Sequence, residues 1–454
     1  MKYLLLILAC ATIKPVYCQQ VPLLNLRFNE EYSVWKKDTS KKWYKAIKYI
    51  PLKKSTSSYV SVGGEYRYQL QYLKNEDWGD AANKEYTAIY NRLLLHSDFH
   101  MGKRFRFFGQ LVSTTVAGKE PPFRSIDENR LDIQQIFADF SLLKNSESKL
   151  ILRAGRQELL YGSQRLIAVR EGPNNRLSFD AVKAFYEKEH LQLDLFYSRP
   201  VRNRTGVFDD PINRNEKLWS VYVVVNKLPI FHNGDFYYIG YQNKINSFYN
   251  ISATENRHSI GARLWKSENS FQYDVEALYQ FGKIGGRIID AYTASANITY
   301  HFNQRKYTPS IGLKTEVISG DKSATDKKVN TFNPLFPRGD YFGLAALIGP
   351  VNLIDFHPSV EIKLHTKISF VADYDMFWRY SVADGIYGAN VAMLYPAAFS
   401  KHIGNQLGIS FEYTPIQYLV ITPELTFFKA GSYLKEVSAG KEIVFAAITI
   451  QSKF

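Results

Sequence analysis

The densest chemistry in the chain lies between Leu152 and Asp180, which reads LRAGRQELLYGSQRLIAVREGPNNRLSFD. Arg153, Arg156, Arg165, Arg170 and Arg176 recur there beside Gln157, Gln164, Asn174 and Asn175, opposed only by Glu158, Glu171 and Asp180. A guanidinium is planar and permanently charged, and it grips a carboxylate through two parallel hydrogen bonds. Five of them among amides suit the handling of anions. Other candidates for chemistry are poorer. His96 and Asp98 share a parity, as a metal or catalytic pair would, but alternate residues of any strand do so and no third partner can be placed. None of the nine histidines sits in an H-E-x-x-H motif, and no G-x-S-x-G elbow occurs. Gly282 to Gly286 (GKIGG) precedes no helix, so it is not a phosphate cradle. Ser319-Gly320-Asp321 with Asp326 offers oxygens for Ca²⁺, but a solvated loop is the simpler reading. The expectation is a protein that handles anions, with no catalytic group, metal or cofactor.

Such residues need walls to hold them, and the surrounding pattern is extended. Period-two segments recur from Tyr59 onward, and helical periodicity is scarce. Eighteen candidate strands run from 59–72 to 442–454. Connections after even-numbered strands are short, as at Met101 to Lys103, Asn145 to Ser148 and His365-Thr366. Those after odd-numbered strands are long, as at 73–85, 116–130, 160–177, 200–216, 320–350, 381–403 and 429–441. Short periplasmic turns alternating with long extracellular loops predict an all-β fold, a transmembrane antiparallel β-barrel of about 18 strands.

Parity then assigns faces. In the first strand Val62, Tyr66, Tyr68, Leu70 and Tyr72 fall together, opposite Ser61, Glu65, Arg67, Gln69 and Gln71. A charge against lipid near the midplane costs ~2–4 kcal/mol, so the charged face looks into the lumen. Inward cations by this count are Arg67, Arg92, Arg104, Arg106, Arg153, Lys183, Arg263, Lys314, Lys363 and Arg379. Inward acids, Glu65, Asp98, Asp139, Glu316, Asp355, Asp373 and Asp375 among them, are no fewer. These charges read either as ion pairs bracing a polar wall or as arginines lining a narrow stretch through which anions pass. Arg153 and Arg156 have opposite parity, so either a bulge intervenes or Arg156 has left the membrane. The 160–177 connection is expected to fold inward as a constriction.

The opening MKYLLLILACATIKPVYCQQ has a positive start, an apolar stretch and a small-residue end, which predicts a signal peptide over 1–18. Lipidation at Cys10 or Cys18 is the rival reading. Both cysteines leave with the leader, so disulfides play no part. Residues 19–58 form a basic N-terminal periplasmic arm, with nine basic and three acidic residues between Arg27 and Lys54. It is read as mobile, with a lumen plug or a contact to headgroups as alternatives. Residues 59–454 form the barrel. The net charge of +14 does not indicate nucleic acid, because no recognition helix or zinc finger accompanies it. Aromatics make up 15% of the chain, enough for girdles at both membrane interfaces. Strand 442–454 (EIVFAAITIQSKF) alternates apolar and polar residues and stops on Phe454, which resembles the sorting signal of bacterial outer-membrane proteins.

Three blocks carry a resemblance to a known family: the arginine-rich segment above, EVISGDKSATDKKVNTFNPLFPRGDYFG (Glu316 to Gly343), and NQLGISFEYTPIQYLVITPELTFFKAGSYL (Asn405 to Leu434). Together they resemble the alginate export porins. The lysine-rich arm and the acids beside the lumen arginines stand outside the family pattern. The resemblance implies a monomeric 18-stranded barrel in the bacterial outer membrane with an anion-selective lumen, and Arg153, Arg156, Arg165, Arg170 and Arg176 match its motif. With Arg67, Arg92, Arg106, Lys314 and Arg379 from parity, these are the expected pore-lining residues. The partners expected are outer-membrane lipid, an anionic saccharide or organic-anion cargo, and a periplasmic export partner. The alternatives are a general or cation-tolerant porin, or a surface enzyme or adhesin barrel with a closed lumen.

Overall fold

The computed structural model describes residues 21–37, 43–52, 57–246, 252–305, 307–323 and 325–454. The expected leader and its cysteines lie outside them. Eighteen strands run up and down around one axis: β1 Tyr59–Lys74, β2 Glu85–Met101, β3 Phe105–Ala117, β4 Asn129–Lys144, β5 Ser148–Gln157, β6 Phe179–Lys188, β7 Leu191–Pro200, β8 Glu216–Leu228, β9 His232–Asn246, β10 Ala253–Lys266, β11 Phe271–Ile284, β12 Arg287–His301, β13 Ser310–Ile318, β14 Leu353–His365, β15 Ile368–Arg379, β16 His402–Ile416, β17 Leu419–Ala430 and β18 Ile443–Lys453. Each pairs antiparallel with the next. The last, β18, returns to β1 through ten pairs from Glu65–Lys453 to Lys74–Val444. Closure leaves no row of unpaired backbone groups, which hydrocarbon would not tolerate.

The alternation of loop lengths breaks once. Gly285 and Gly286 turn β11 straight into β12 at the long-loop end, with φ of 53° and 83°. Two consecutive positive φ values suit a tight hairpin, and glycine takes them without penalty. Most of GKIGG is therefore strand.

Alternation sorts the side chains as the parity predicts. On β11, Phe271, Val275, Tyr279 and Phe281 are exposed while Glu276, Leu278 and Gln280 are buried. On β2, Leu93, Leu95 and Phe99 are exposed and Arg92, Leu94, His96 and Asp98 buried. An apolar belt of this extent is an aggregation hazard in water and a match to a bilayer. No helix among the described residues is long and apolar enough to cross a membrane; the strands do so instead.

Three segments occupy the interior. The 158–178 connection folds inward, as expected, and so does 319–352. The two meet in a short parallel ladder: Ala168 N donates to Phe336 O and Phe336 N to Leu166 O, both at 3.0 Å. Leu166, Ile167, Phe332, Phe336 and Phe342 form an apolar core with wall residues such as Phe179, Phe196, Leu218 and Phe377. The third segment is the arm. Its described part is packed in the mouth at the short turns, not detached. Phe28 meets Phe108 and Phe137 edge-on at 5.9 and 5.3 Å. Arg27 donates to Gly64 O and Phe454 O at 2.7 and 3.0 Å, and Lys48, in helix α1 (Trp43–Lys48), donates to Phe454 O at 3.0 Å. Of the three readings of the arm, its placement matches the plug.

Candidate functional site

Arg67 on β1 stands directly opposite Arg92 on β2. Two like charges in register repel, and the 158–178 loop supplies what holds them. Arg92 reaches Glu65 at 2.7 Å and also bonds the Glu171 carboxylate. Arg176 bonds Glu171 and lies 3.4 Å from Glu158 and 3.9 Å from Glu65. Arg67 pairs with no carboxylate among the described residues. It donates to the carbonyls of Glu171, Gly172 and Pro173 at 2.8, 3.2 and 2.9 Å. Three arginines and three glutamates thus form one buried knot. Burial pushes the Glu171 carboxyl up, but Arg176 and Arg92 outweigh it and hold the pKa below the usual range. Glu158, wholly enclosed, goes the other way: burial raises it against the pull of Arg176.

The amides of the loop act as pegs. Asn174 Nδ2 lies within 3.2 Å of the carbonyls of Asn91, Thr115 and Asp127. Asn175 Nδ2 donates to Ser125 O at 2.5 Å.

Around this knot the other expected residues separate into distinct roles. Arg153 pairs with Asp139 at 2.7 Å and lies over the rings of Phe137 and Phe28 at 4.0 and 4.4 Å. Arg106 pairs with Asp98 at 2.7 Å and donates to Phe28 O, so both arginines clamp the arm. The β5 register with β4 and β6 runs unbroken through Arg156, opposite exposed Ile136. Arg156 therefore faces away from Arg153, toward Asp180 at 3.0 Å, Asp132 at 3.7 Å and the Asp210 carbonyl at 3.1 Å. No bulge brings it into the lumen. Gly155, at φ 130°, lies too near Ile136 O for any Cβ.

Arg165 reaches across to the far wall, pairing with Glu276 and Glu316 at 3.0 Å each and donating to Tyr341 Oη and Ser295 Oγ at 2.5 Å. Lys314 sits over the Tyr341 and Phe342 rings at 4.3 and 4.6 Å. Arg379 is fully buried and donates to the carbonyls of Ser400, Val382, Asp384 and Ala398. It organises the loops above the wall. Arg170, half-buried at φ 56°, makes no hydrogen bond or ion pair with any described residue.

The knot separates two cavities. One of about 660 Å³ opens toward the long loops and is lined by Arg170, Arg176, Lys119, Arg124, Trp78 and Tyr86, among others. The other, of about 430 Å³, lies on the short-turn side, lined by Arg153, Lys183, Arg263, Glu158 and Phe28 among others. Arg176 lines the first and Glu158 the second, so their ion pair spans the partition. Lys119 and Arg124, both paired with Asp127, were invisible to a parity reading because they stand on a loop. His96 packs on Phe108 while His100, not His96, pairs with Asp98 at 3.1 Å. Asp321 is buried and accepts from Asn330 N, so Ser319 to Asp321 is not a solvated loop.

A closed, even-stranded barrel with an apolar belt and an infolded charged lumen is an outer-membrane channel of the porin class. The sequence places it further: residues 58–442 match the family model described as alginate export, and the chain belongs to that family. Its fold is similar to that of Pseudomonas aeruginosa OccK3 (OpdO), with 12% identity, a TM-score of 0.55 and coverage of 87% of this chain and 95% of that one. A BenF-like porin from Pseudomonas fluorescens Pf-5 aligns at 10% identity, TM-score 0.57, covering 87% and 98%. Pseudomonas aeruginosa OccK2 (OpdF) in complex with glucuronate aligns at 9%, TM-score 0.55, covering 87% and 98%. No curated protein matches the chain in sequence. The chain is thus a bacterial outer-membrane transport barrel.

Proposed function

We propose that this channel passes anionic solutes, acidic oligo- or polysaccharides foremost, which enter over Arg170. The observation that carries the reading is a guanidinium at the wall of the outer cavity that makes no hydrogen bond or ion pair with any described residue. Its neighbours there, Lys119 and Arg124, keep part of their charge toward the solute while Asp127 positions them. Weak grips in series let cargo move on, which a single tight site would prevent. The family name refers to a polyuronate, and one solved structure of similar fold holds a uronate. Conduction needs no covalent step. Each of the eighteen barrel strands is paired on both edges within one chain, so a single copy suffices, and a periplasmic partner would meet the barrel at the arm.

Single-channel recording in planar bilayers tests this. The expected results are anion preference, its reduction in Arg170→Gln, and block of chloride current by uronic-acid oligomers. Cation selectivity, or no conductance in any state, overturns the proposal; the second outcome favours a closed barrel.

A further inference from the structure

On the wall across from the knot, β13, β14 and β15 bring several lumen-facing ligand groups together. Glu316, Asp355 and Phe377 lie in one cross-strand row, and Lys314 pairs with His357 in the next. Asp355 is fully buried, and neither of its carboxylate oxygens has a hydrogen-bond partner. His357 turns Nδ1 to Asp375 Oδ1, in contact, and Nε2 to Asp373 Oδ1 at 3.4 Å. Gln406 Nε2 donates to Asp375 Oδ2 at 3.0 Å, which fixes that carboxylate and leaves Oδ1 for the cluster.

An ionised carboxylate buried without a partner is strongly unfavourable, so a proton or a cation must neutralise Asp355. The fixed cations nearby are engaged elsewhere. Lys314 lies 3.7 Å from Glu316 with its ammonium over two rings, and Arg165 holds Glu276 and Glu316. Four carboxylates, Glu316, Asp355, Asp373 and Asp375, therefore share less positive charge than they carry.

We propose that Asp355, His357 and Asp375 bind one divalent first-row metal ion, Zn²⁺ by donor type. One ligand atom from each residue lies within 4.8 Å of the other two, so small side-chain rotations bring all three onto one ion. Zinc accepts both imidazole nitrogen and carboxylate oxygen, and the nitrogen donor favours it over Mg²⁺ or Ca²⁺, with a fourth position left to water. Asp373 then accepts from Nε2–H and holds the ring with Nδ1 toward the metal, the outer-sphere support that such histidines need. The bound ion clips β14 to β15 beneath Tyr341 and Phe342, whose contacts to Glu316 and Gln406 anchor the second infolded loop. It also cancels the negative charge of a wall that anions must pass.

The test uses the whole barrel, folded in detergent after treatment with a chelator. Titration calorimetry with Zn²⁺ alone should give one ion per chain, and Co²⁺ in its place should develop the visible absorption of a nitrogen-and-oxygen site. Asp355→Asn, which keeps the side-chain shape, and His357→Gln should each abolish both signals. Asp373→Asn should weaken binding about 10–100-fold. Each variant is first shown to be folded by its heat-shifted electrophoretic mobility; if one fails, the other two and the wild-type Co²⁺ spectrum decide. Absence of binding heat and of a Co²⁺ band in the wild type, or binding unchanged in Asp355→Asn and His357→Gln, overturns the site and leaves a protonated Asp355. These readouts do not depend on conductance, so they stand apart from the anion proposal.

Discussion

Replacing Arg67 with methionine keeps the aliphatic stem and removes only the guanidinium. Three carbonyls of the first infolded loop lose the Arg67 donor, two of them held at 2.8 and 2.9 Å, and Arg92 is left as a longer donor to those two at 3.2 and 3.5 Å. Hydrogen bonds from a charged donor contribute about 1.5–3 kcal/mol each, so the two short ones together contribute about 3–6 kcal/mol. The substitution also leaves three glutamates facing two arginines, which pushes Glu171 outward. Arg165 still ties the loop to the far wall, so segment 171–175 opens alone while the rest stays docked. At the lower figure its open population rises by about 100-fold. Arg170 and Arg176 bound that segment and are both cleavage points for trypsin. Protease added outside intact cells should therefore cut the Arg67→Met barrel at Arg170, where the opened segment begins, about 100 times faster than the wild type. Single-channel traces should become noisier as the segment moves. Unchanged cleavage together with a lower anion preference would refute the reasoning, because Arg67 would then be a pore cation and not a loop anchor.

Three further outcomes are expected. Phe28→Ala removes a ring packed on Phe108, Phe137 and Arg153; at about 3–5 kcal/mol it should release the arm, seen as lost hydrogen-exchange protection over residues 24–35. Burial, helped by Arg27, lowers Lys48 from its usual 10.5 to about 7. The docked arm then binds fewer protons than the released arm between about pH 7 and 10.5, so docking strengthens as pH rises through that window and is flat below it; exchange rates of the arm should show this slope, and Lys48→Met should abolish it. Arg156→Gln should lower thermal stability by about 1–3 kcal/mol, because Asp180 and buried Asp132 lose their shared cation, while ion preference in bilayers stays unchanged.

The strands were legible because each one repeats the same test. Two-residue alternation must place apolar side chains toward lipid over ten or more positions, as Phe271 to Phe281 do on β11, and chance rarely satisfies it. The inward turn of 158–178 was legible from its arginines and amides. The partners of those arginines were not. Arg92 depends on Glu171 from a loop, Arg379 on four backbone carbonyls, and Arg106 on the Phe28 carbonyl of the arm, and none of these contacts has a period or a motif. The parity conflict between Arg153 and Arg156 was visible, and the unbroken register settled which way Arg156 faces. The arm's packing rests on isolated aromatics, Phe28, Tyr32, Trp35 and Tyr44, whose spacing follows no regular element. Lysine density was the stronger signal there, and it pointed to solvent.

The placement of Arg27 also bears on the order of assembly. Its two acceptors, Gly64 O and Phe454 O, belong to segments at opposite ends of the sequence, the second 427 positions away. Contacts of such separation form last, after loop-closure entropy has been met by nearer pairings. On any partly built cylinder one acceptor is missing, and the arm has nowhere to bind. Only when the first and last strands have zipped together does the seam present both carbonyls. The arm is then a sensor of completion: its insertion reports that the barrel has closed.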